Sequence, residues 1–113
     1  MIVLIAPLQL DVKAEVTHLV LWCCAPFDES YSFRVTLASI DEILSRDGAS
    51  CIELPEETVE EDFVNGRLTW KDSRFDVYFE RSLGYLEFSS PTLSNVEALR
   101  AALEPHVLVE EDL

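Results

Sequence analysis

Alternation of apolar and polar side chains in the segment 67–89 constrains the fold of this chain more than any other feature. Every second side chain of a β-strand lies on the same face, so a period of two predicts half-buried strands. We therefore predict an antiparallel meander with one apolar face. Its inward-facing residues are Phe75, Val77, Phe79, Leu86 and Phe88, and its outward-facing residues are Asp76, Tyr78, Glu80, Tyr85, Glu87 and Ser89.

Turn residues divide this segment into strands. Asn65-Gly66 is the strongest short hairpin signal, because both central positions of a type I′ turn need a positive φ. We therefore predict a hairpin turn at this dipeptide. The same reading predicts a strand over 67–71, a tight turn at Asp72-Ser73 and a further turn closed by Gly84.

Two short helices are predicted from capping boxes, in which a serine and a glutamate three residues later satisfy free backbone amides. Ser39 and Glu42 begin the first helix, and Gly48 supplies its left-handed C-cap. Ser94 and Glu97 begin the second helix. The spacing of its apolar positions is helical, and they are Val96, Leu99 and Leu103.

The remaining apolar runs predict further strands. Residues 11–24 fit a helix as well as a strand over 17–24, and we favour the strand because its continuous apolar run ends near Pro26. Phe33, Val35 and Leu37 alternate with other residues and predict a strand over 33–38. The other predicted strands are 2–10, bent at Pro7, then 51–54 and 107–109.

Length and composition fit one folded domain over residues 1–113. Hydrophobic residues make up 49% of the 113, which is enough for a packed core. One antiparallel sheet with two short helices packed on one face accounts for the apolar positions. We therefore predict a single α+β domain.

The net charge is the first indication of function. Twenty-two acidic residues face eight lysines and arginines, which gives −14. Such a field repels nucleic acid and anionic membranes, and it accelerates association with basic proteins. A strong net charge also keeps a protein soluble, which is the alternative explanation. We expect a basic protein partner, and no interaction with nucleic acid or membrane.

Acidic residues are densest between positions 53 and 62, where there is no base. A functional interpretation is a docking surface for arginines and lysines, extended by acids and tyrosines on the outer face of the meander. The alternative is a solvated loop, which is the usual role of a charge run. The predicted partner-binding residues are Glu53, Glu56, Glu57, Glu60, Glu61, Asp62, Asp76, Tyr78, Glu80 and Tyr85.

Catalytic and metal-binding patterns are not found in the sequence. The three cysteines and two histidines do not have zinc-ligand spacing, and the few glycines are assigned to turns and caps. His18 and His106 are interpreted as structural or surface residues. We expect no cofactor, no metal and no enzymatic activity. We also expect the bases Arg67, Lys71, Arg74 and Arg81 to pair with nearby acids across strands.

Cysteine usage and the apolar runs bear on location. An odd number of cysteines, two of them adjacent at Cys23-Cys24, is not typical of a disulfide framework and favours a reducing compartment. The runs 1–8 and 19–27 are too short to span a bilayer, and the first lacks the features of a secretory signal. We expect a cytoplasmic protein.

Two neighbouring segments carry a resemblance to a known class. Residues 83–90 (LGYLEFSS) followed by 96–103 (VEALRAAL) resemble the ending of some small acidic immunity proteins from bacterial polymorphic and contact-dependent toxin systems. The resemblance covers about a fifth of the chain and implies a toxin-neutralising binder without a cofactor. No functional residues are carried over from it. The alternatives are a phage-encoded or DNA-mimic inhibitor, a small regulatory subunit and a small enzyme.

Overall fold

The computed structural model describes residues 1–58 and 61–110 and contains eight strands and two α-helices in that part of the chain. A short 3₁₀ turn, Glu104–His106, follows the second helix. In chain order the elements are β1 (Ile2–Leu4), β2 (Gln9–Lys13), β3 (Val16–Trp22), α1 (Phe33–Ser45), β4 (Ser50–Glu53), β5 (Phe63–Trp70), β6 (Ser73–Glu80), β7 (Tyr85–Ser90), α2 (Leu93–Leu103) and β8 (Val107–Val109).

Six of these strands form one antiparallel sheet in the order β2-β3-β7-β6-β5-β4. The consecutive strands β5, β6 and β7 form the predicted meander, and the predicted α+β fold is confirmed. A second sheet, which was not predicted, consists of β1 and β8 running parallel. The predicted strand over 2–10 therefore divides into β1 and β2, which belong to different sheets.

The helices pack on one face of the six-stranded sheet. The ring of Phe33 in α1 stacks on that of Phe79 at a centroid distance of 4.4 Å. The indole of Trp70 donates a hydrogen bond to the carbonyl of Leu44 near the end of α1. The apolar stripe of α2 is fully buried, as predicted for Val96, Leu99 and Leu103. The core therefore lies between the helices and one sheet face, and in residues 1–58 and 61–110 the opposite face carries no helix.

The predicted turn at Asn65-Gly66 is wrong, because both residues lie inside the continuous strand β5. Glycine is needed there for space rather than for a positive φ. A Cβ at Gly66 would lie 2.5 Å from Cδ2 of Leu54 and 2.6 Å from the carbonyl oxygen of Glu53. The side chain of Leu54 thus packs where a side chain at position 66 would otherwise stand.

Tight turns occur instead where the sequence offers no glycine. Ala14 and Glu15 connect β2 to β3 with φ of 49° and 66°. Lys71 and Asp72 connect β5 to β6 with φ of 49° and 64°, one residue before the predicted turn. Both pairs have the two positive φ values of a type I′ turn. Gly84, with φ of 67°, closes the β6–β7 turn as predicted.

The predicted strand over 33–38 is wrong, because these residues form the first half of α1. Phe33, Leu37 and Ile40 are buried at helical spacing, while Val35 is exposed. The helix begins after Ser32, whose hydroxyl accepts a hydrogen bond from the amide of Val35. The predicted cap at Ser39 is therefore inside the helix. Helix α1 ends at Ser45, before Gly48, with Arg46 as its C-cap.

Smaller corrections concern the other elements. Helix α2 follows Thr92 as its N-cap, so the predicted capping box at Ser94 and Glu97 is wrong. The preference for a strand within 11–24 is confirmed by β3, and the strand predicted over 107–109 is confirmed as β8. Neither described helix is long and apolar enough to cross a membrane.

Candidate binding surface on the open sheet face

The face of the six-stranded sheet opposite the helices is lined by polar and aromatic side chains. We call it the open sheet face. Alternating burial along β6 and β7 assigns each residue to one side, because the buried residues of these strands face the helices. In β3 the register with β7 makes the assignment, and it places Val20, although buried, beside His18 and Trp22 on the open sheet face. The strand register then shows which outward residues are neighbours. From β3 to β5 they include His18, Trp22, Asn65, Arg67, Arg74, Asp76, Tyr78, Glu80, Tyr85, Glu87 and Ser89.

Two tyrosines and two glutamates form the centre of this face, and we call them the Tyr–Glu quartet. Tyr78 lies opposite Glu87 across β6 and β7, and Glu80 lies opposite Tyr85. The hydroxyl of Tyr78 donates a hydrogen bond of 2.8 Å to Oε1 of Glu80. The two phenol rings meet edge to face with centroids 6.0 Å apart. The quartet is thus held together by contacts along and across the strands.

Both phenols in the quartet are stabilised in the protonated form. The hydrogen bond to Glu80, followed by burial and the nearby negative charges, raises the pKa of Tyr78 to about 12. Burial, followed by the charges of Glu87 and Glu80, also raises the pKa of Tyr85. At neutral pH both hydroxyls therefore keep their protons beside the two carboxylates, and that of Tyr78 is donated to Glu80.

Trp22 and His18 extend the quartet onto β3. The indole ring of Trp22 lies 5.5 Å from the ring of Tyr85, which is its register partner. Its Nε1 donates a hydrogen bond of 3.1 Å to the side-chain oxygen of Gln9. Nδ1 of His18 is hydrogen-bonded to Oε1 of Glu87. Three aromatic rings, from Trp22, Tyr85 and Tyr78, thus follow one another across three neighbouring strands.

Two grooves border the quartet on this face. One, of about 230 Å³, lies over β2, β3 and β7 and is lined by residues that include Asp11, His18, Trp22, Tyr85 and Glu87. The other, of about 650 Å³, lies over β4 to β7 and is lined by residues that include Glu53, Arg67, Asp76 and Tyr78. Both grooves are open to solvent, so a protruding side chain of another molecule can reach them.

The acidic segment 53–62 is divided between the edge of this face and the helix side. Glu61 is held by Arg34, which donates to both carboxylate oxygens, the shortest contact being 2.6 Å. Arg34 also donates to the carbonyl of Pro55. The hydrogen bonds from Arg34, followed by its charge, hold the pKa of Glu61 below its usual value. The negative charge of Glu61 is therefore balanced by Arg34 within the molecule.

The structure brings some predicted binding residues together and separates others. Asp76, Tyr78, Glu80 and Tyr85 meet on the open sheet face, and Glu53 lies at its β4 border. The other acids of the segment lie outside this group. Among them Glu56, Glu57 and Asp62 are exposed, Glu61 is paired with Arg34, and Glu60 lies outside the described residues.

The predicted cross-strand pairing is wrong for two of the four bases, Lys71 and Arg81. Lys71 forms its ion pair with Asp47, at 2.7 Å, in the connection between α1 and β4. The guanidinium of Arg81 donates to the backbone carbonyls of Asp28, Tyr31 and Glu61. These acceptors lie outside the sheet, so the side chain fixes loops rather than pairing strands. Arg67 does face Asp76 in the register of β5 and β6.

The side chains that catalysis most often uses lie apart in the described part of the chain. The histidine–carboxylate pair His18–Glu87 lies in a groove whose described lining residues include no serine, threonine or cysteine. Burial raises the pKa of Cys23 to about 12, and burial also raises that of Cys24, so both thiols are protonated at neutral pH. In residues 1–58 and 61–110, no three His, Cys, Asp or Glu side chains are grouped to hold a metal ion.

Sequence reasoning did not assign Trp22, His18 or Glu87 to the binding surface. In a strand, His18 and Trp22 share a face because they are four residues apart, and this spacing was the signal that could have found them. Glu87 was placed correctly on the outer face, but its contact with His18 depends on the pairing of β3 with β7, which sequence spacing does not give.

Comparison of this chain with protein-family models, with curated proteins and with solved structures found no match. We therefore propose a function from the geometry and charge of the open sheet face.

Proposed function

We propose that this protein binds and neutralises a basic protein, using the open sheet face as its contact surface. The supporting observation is the Tyr–Glu quartet with Trp22, a row of rings and carboxylates on a sheet face that neither described helix covers. Tyrosine and tryptophan are enriched at the centres of protein interfaces, because they combine large contact area with a polar tip. Acids beside the rings complement a basic partner.

The charge of the whole chain supports the same proposal. A net charge of −14 attracts a basic protein over a distance of about one Debye length, roughly 8 Å at physiological ionic strength. Exposed Glu53, Glu56, Glu57 and Asp62 add charge near the β4 border of the face and in the segment that follows it. We propose that these acids accelerate association, while the quartet and Trp22 supply most of the contact energy.

The partner that we propose is the catalytic domain of a bacterial toxin, which makes this chain an immunity protein. The resemblance of residues 83–90 and 96–103 to such proteins supports this choice. A toxin that acts on a negatively charged substrate presents a basic surface, and an acidic binder can cover it. Three cysteines outside any disulfide agree with a cytoplasmic location, where such a toxin would be neutralised.

Affinity capture followed by coexpression tests this proposal. The tagged protein is incubated with a lysate of its native cells, and retained proteins are eluted with increasing salt. We expect a basic protein that elutes with salt, binds the purified chain directly, and arrests bacterial growth unless this chain is coexpressed. A directly bound partner that is acidic, or binding that is insensitive to salt, would contradict the proposal. A basic partner that is not toxic would leave the binding role and remove the immunity role.

A further inference from the structure

We infer that the Tyr–Glu quartet and Trp22 form a subsite for a guanidinium group, so that an arginine of the partner is the anchor of the interface. This inference rests on the proposed function for its biological setting, but the chemistry of the subsite can be tested without the partner. It names one side chain where the proposed function names only a basic protein.

The arrangement of the quartet suits a flat cation. Tyr78 and Glu80 alternate with Val77 and Phe79 along β6, so their side chains share a face, and Tyr85 and Glu87 do the same along β7. Neighbouring strands are about 4.8 Å apart, so a guanidinium over one ring is within reach of a carboxylate on the next strand. Such a cation can contact a ring face and donate hydrogen bonds to a carboxylate at the same time.

The side chains of the subsite are already positioned in the free protein. Tyr78 holds one oxygen of Glu80, and His18 holds one oxygen of Glu87. The bond from Trp22 to Gln9 fixes the plane of the indole ring. Because these rotamers are fixed before binding, less side-chain entropy is lost when a ligand arrives.

No lysine or arginine among the described residues is paired with Glu80 or Glu87, and the base that contacts the subsite is His18, which is bound to Glu87. Among the described residues, Glu80 forms no ion pair, and the nearest arginine in sequence, Arg81, is bound to three backbone carbonyls. Arg34 is bound to Glu61 on the helix side. A negative carboxylate between aromatic rings is thus left for a cation from another molecule.

Arginine fits the subsite better than lysine. The guanidinium is planar, stacks on aromatic rings and donates in a fork that matches a carboxylate. An ammonium group is a compact, strongly hydrated charge that gains less from rings. We therefore expect selectivity for arginine of about threefold or more in a short peptide, which corresponds to an exposed cation–π contact.

Nuclear magnetic resonance of the two indole N–H groups tests the inference with an internal control. Trp22 lies in the subsite, whereas Trp70 is buried and bonded to Leu44. The probes are the blocked peptides Ac-Gly-Arg-Gly-NH₂ and Ac-Gly-Lys-Gly-NH₂ at equal ionic strength. We expect a saturable shift of the Trp22 signal with the arginine peptide, a weaker effect with the lysine peptide, and no shift of the Trp70 signal.

Matched variants separate a subsite from a general charge effect. Glu80→Gln and Glu87→Gln keep side-chain shape and remove charge, and Glu97→Gln makes the same change on the exposed side of α2. We expect the first two variants to weaken arginine binding and Glu97→Gln to leave it unchanged. The inference would be overturned if the arginine and lysine peptides shifted the Trp22 signal equally, or if neither shifted it. It would also be overturned if all three variants lost the same amount of arginine-peptide binding. A failure here, with salt-sensitive binding of a basic partner retained, leaves the proposed function standing.

Discussion

The hydroxyl of Tyr78 donates a hydrogen bond of 2.8 Å to Glu80, two residues further along the same strand. Residues two apart in a strand share a face, so this bond lies on the surface of the sheet and fixes both side chains there. It joins a ring to a carboxylate on the open sheet face. The same bond is the largest cause of the raised pKa of Tyr78.

Replacement of Glu80 by glutamine will lower the pKa of Tyr78 from about 12 toward its ordinary value of 10, because it weakens the hydrogen bond that is the largest cause of the shift and removes the negative charge that opposes phenolate formation. Tyrosinate absorbance near 295 nm during an alkaline titration measures this change. Wild type and Glu97→Gln should titrate alike, since Glu97 is on α2. An unchanged tyrosine titration in Glu80→Gln would show that this carboxylate does not control Tyr78.

The raised pKa also predicts a loss of stability in alkali. The phenol of Tyr78 ionises more readily in the unfolded chain than in the fold. Its contribution to the free energy of unfolding is therefore complete below pH 10 and is lost as pH rises toward about 12. Urea unfolding at pH 8 and at pH 11 measures the difference. The Tyr78→Phe variant, which cannot ionise at this position, should lose less stability over that interval than wild type.

Arg34→Gln will destabilise the fold by about 2 kcal/mol, because it leaves the poorly exposed carboxylate of Glu61 without its charged donor. Arg46→Gln is the matched control, because its i,i+4 pair with Glu42 is exposed at both ends and is worth less than about 0.5 kcal/mol. Chemical denaturation measures both free energies of unfolding. Equal losses in the two variants would contradict the structural role given to the Arg34–Glu61 pair.

The stabilising effect of that pair should also fade in acid. Arg34 lowers the pKa of Glu61 in the fold, so the contribution is present above the ordinary glutamate value of 4.5 and is lost as pH falls below it. The difference in unfolding free energy between wild type and Glu61→Gln should therefore shrink between pH 6 and pH 3. A constant difference over that range would argue against the ion pair.

Asp72→Gly will stabilise the protein by roughly 1 kcal/mol, because glycine adopts the positive φ of 64° without the steric cost that a side chain carries. Gly84→Ala will do the opposite and by more, since its φ is 67° and a Cβ there would lie 2.1 Å from the carbonyl oxygen of Cys24. Thermal unfolding of both variants measures these changes. Destabilisation by Asp72→Gly would contradict the assigned turn geometry.

The meander was predictable because its signal is local. Burial on one face imposes a period of two, and the alternation of Phe75, Val77 and Phe79 shows it directly. The signal for the apolar stripe of α2 was local in the same way. These patterns specify which side of an element faces the core, and they were sufficient for the α+β class.

The turns and the first helix were not predictable from local signals. Asn65-Gly66 has the composition of a turn, but the glycine serves the close approach of Leu54, which belongs to another part of the chain. Ala14-Glu15 and Lys71-Asp72 form turns because the register of the strands requires them. Phe33, Val35 and Leu37 alternate with other residues by chance within a helix. The packing of Phe33 on Phe79 favours the helical conformation of this segment over a strand.

The binding surface was predictable only in part for a similar reason. Asp76, Tyr78, Glu80 and Tyr85 follow from alternation within the meander. Trp22, by contrast, joins them because β3 pairs with β7, which is distant in sequence. The density of acids at 53–62 was misleading in one respect, because Glu61 has an internal partner that no spacing rule indicates.

The central claim is that the open sheet face, rather than total charge, binds the basic partner. The most direct test compares the affinity of the purified partner for two double variants with the same change in net charge. Glu80→Gln/Glu87→Gln removes charge from the quartet, and Glu42→Gln/Glu97→Gln removes it from the helices. We predict that the first double variant weakens binding by about tenfold or more and the second by less than about threefold. Equal losses in the two double variants would contradict the account.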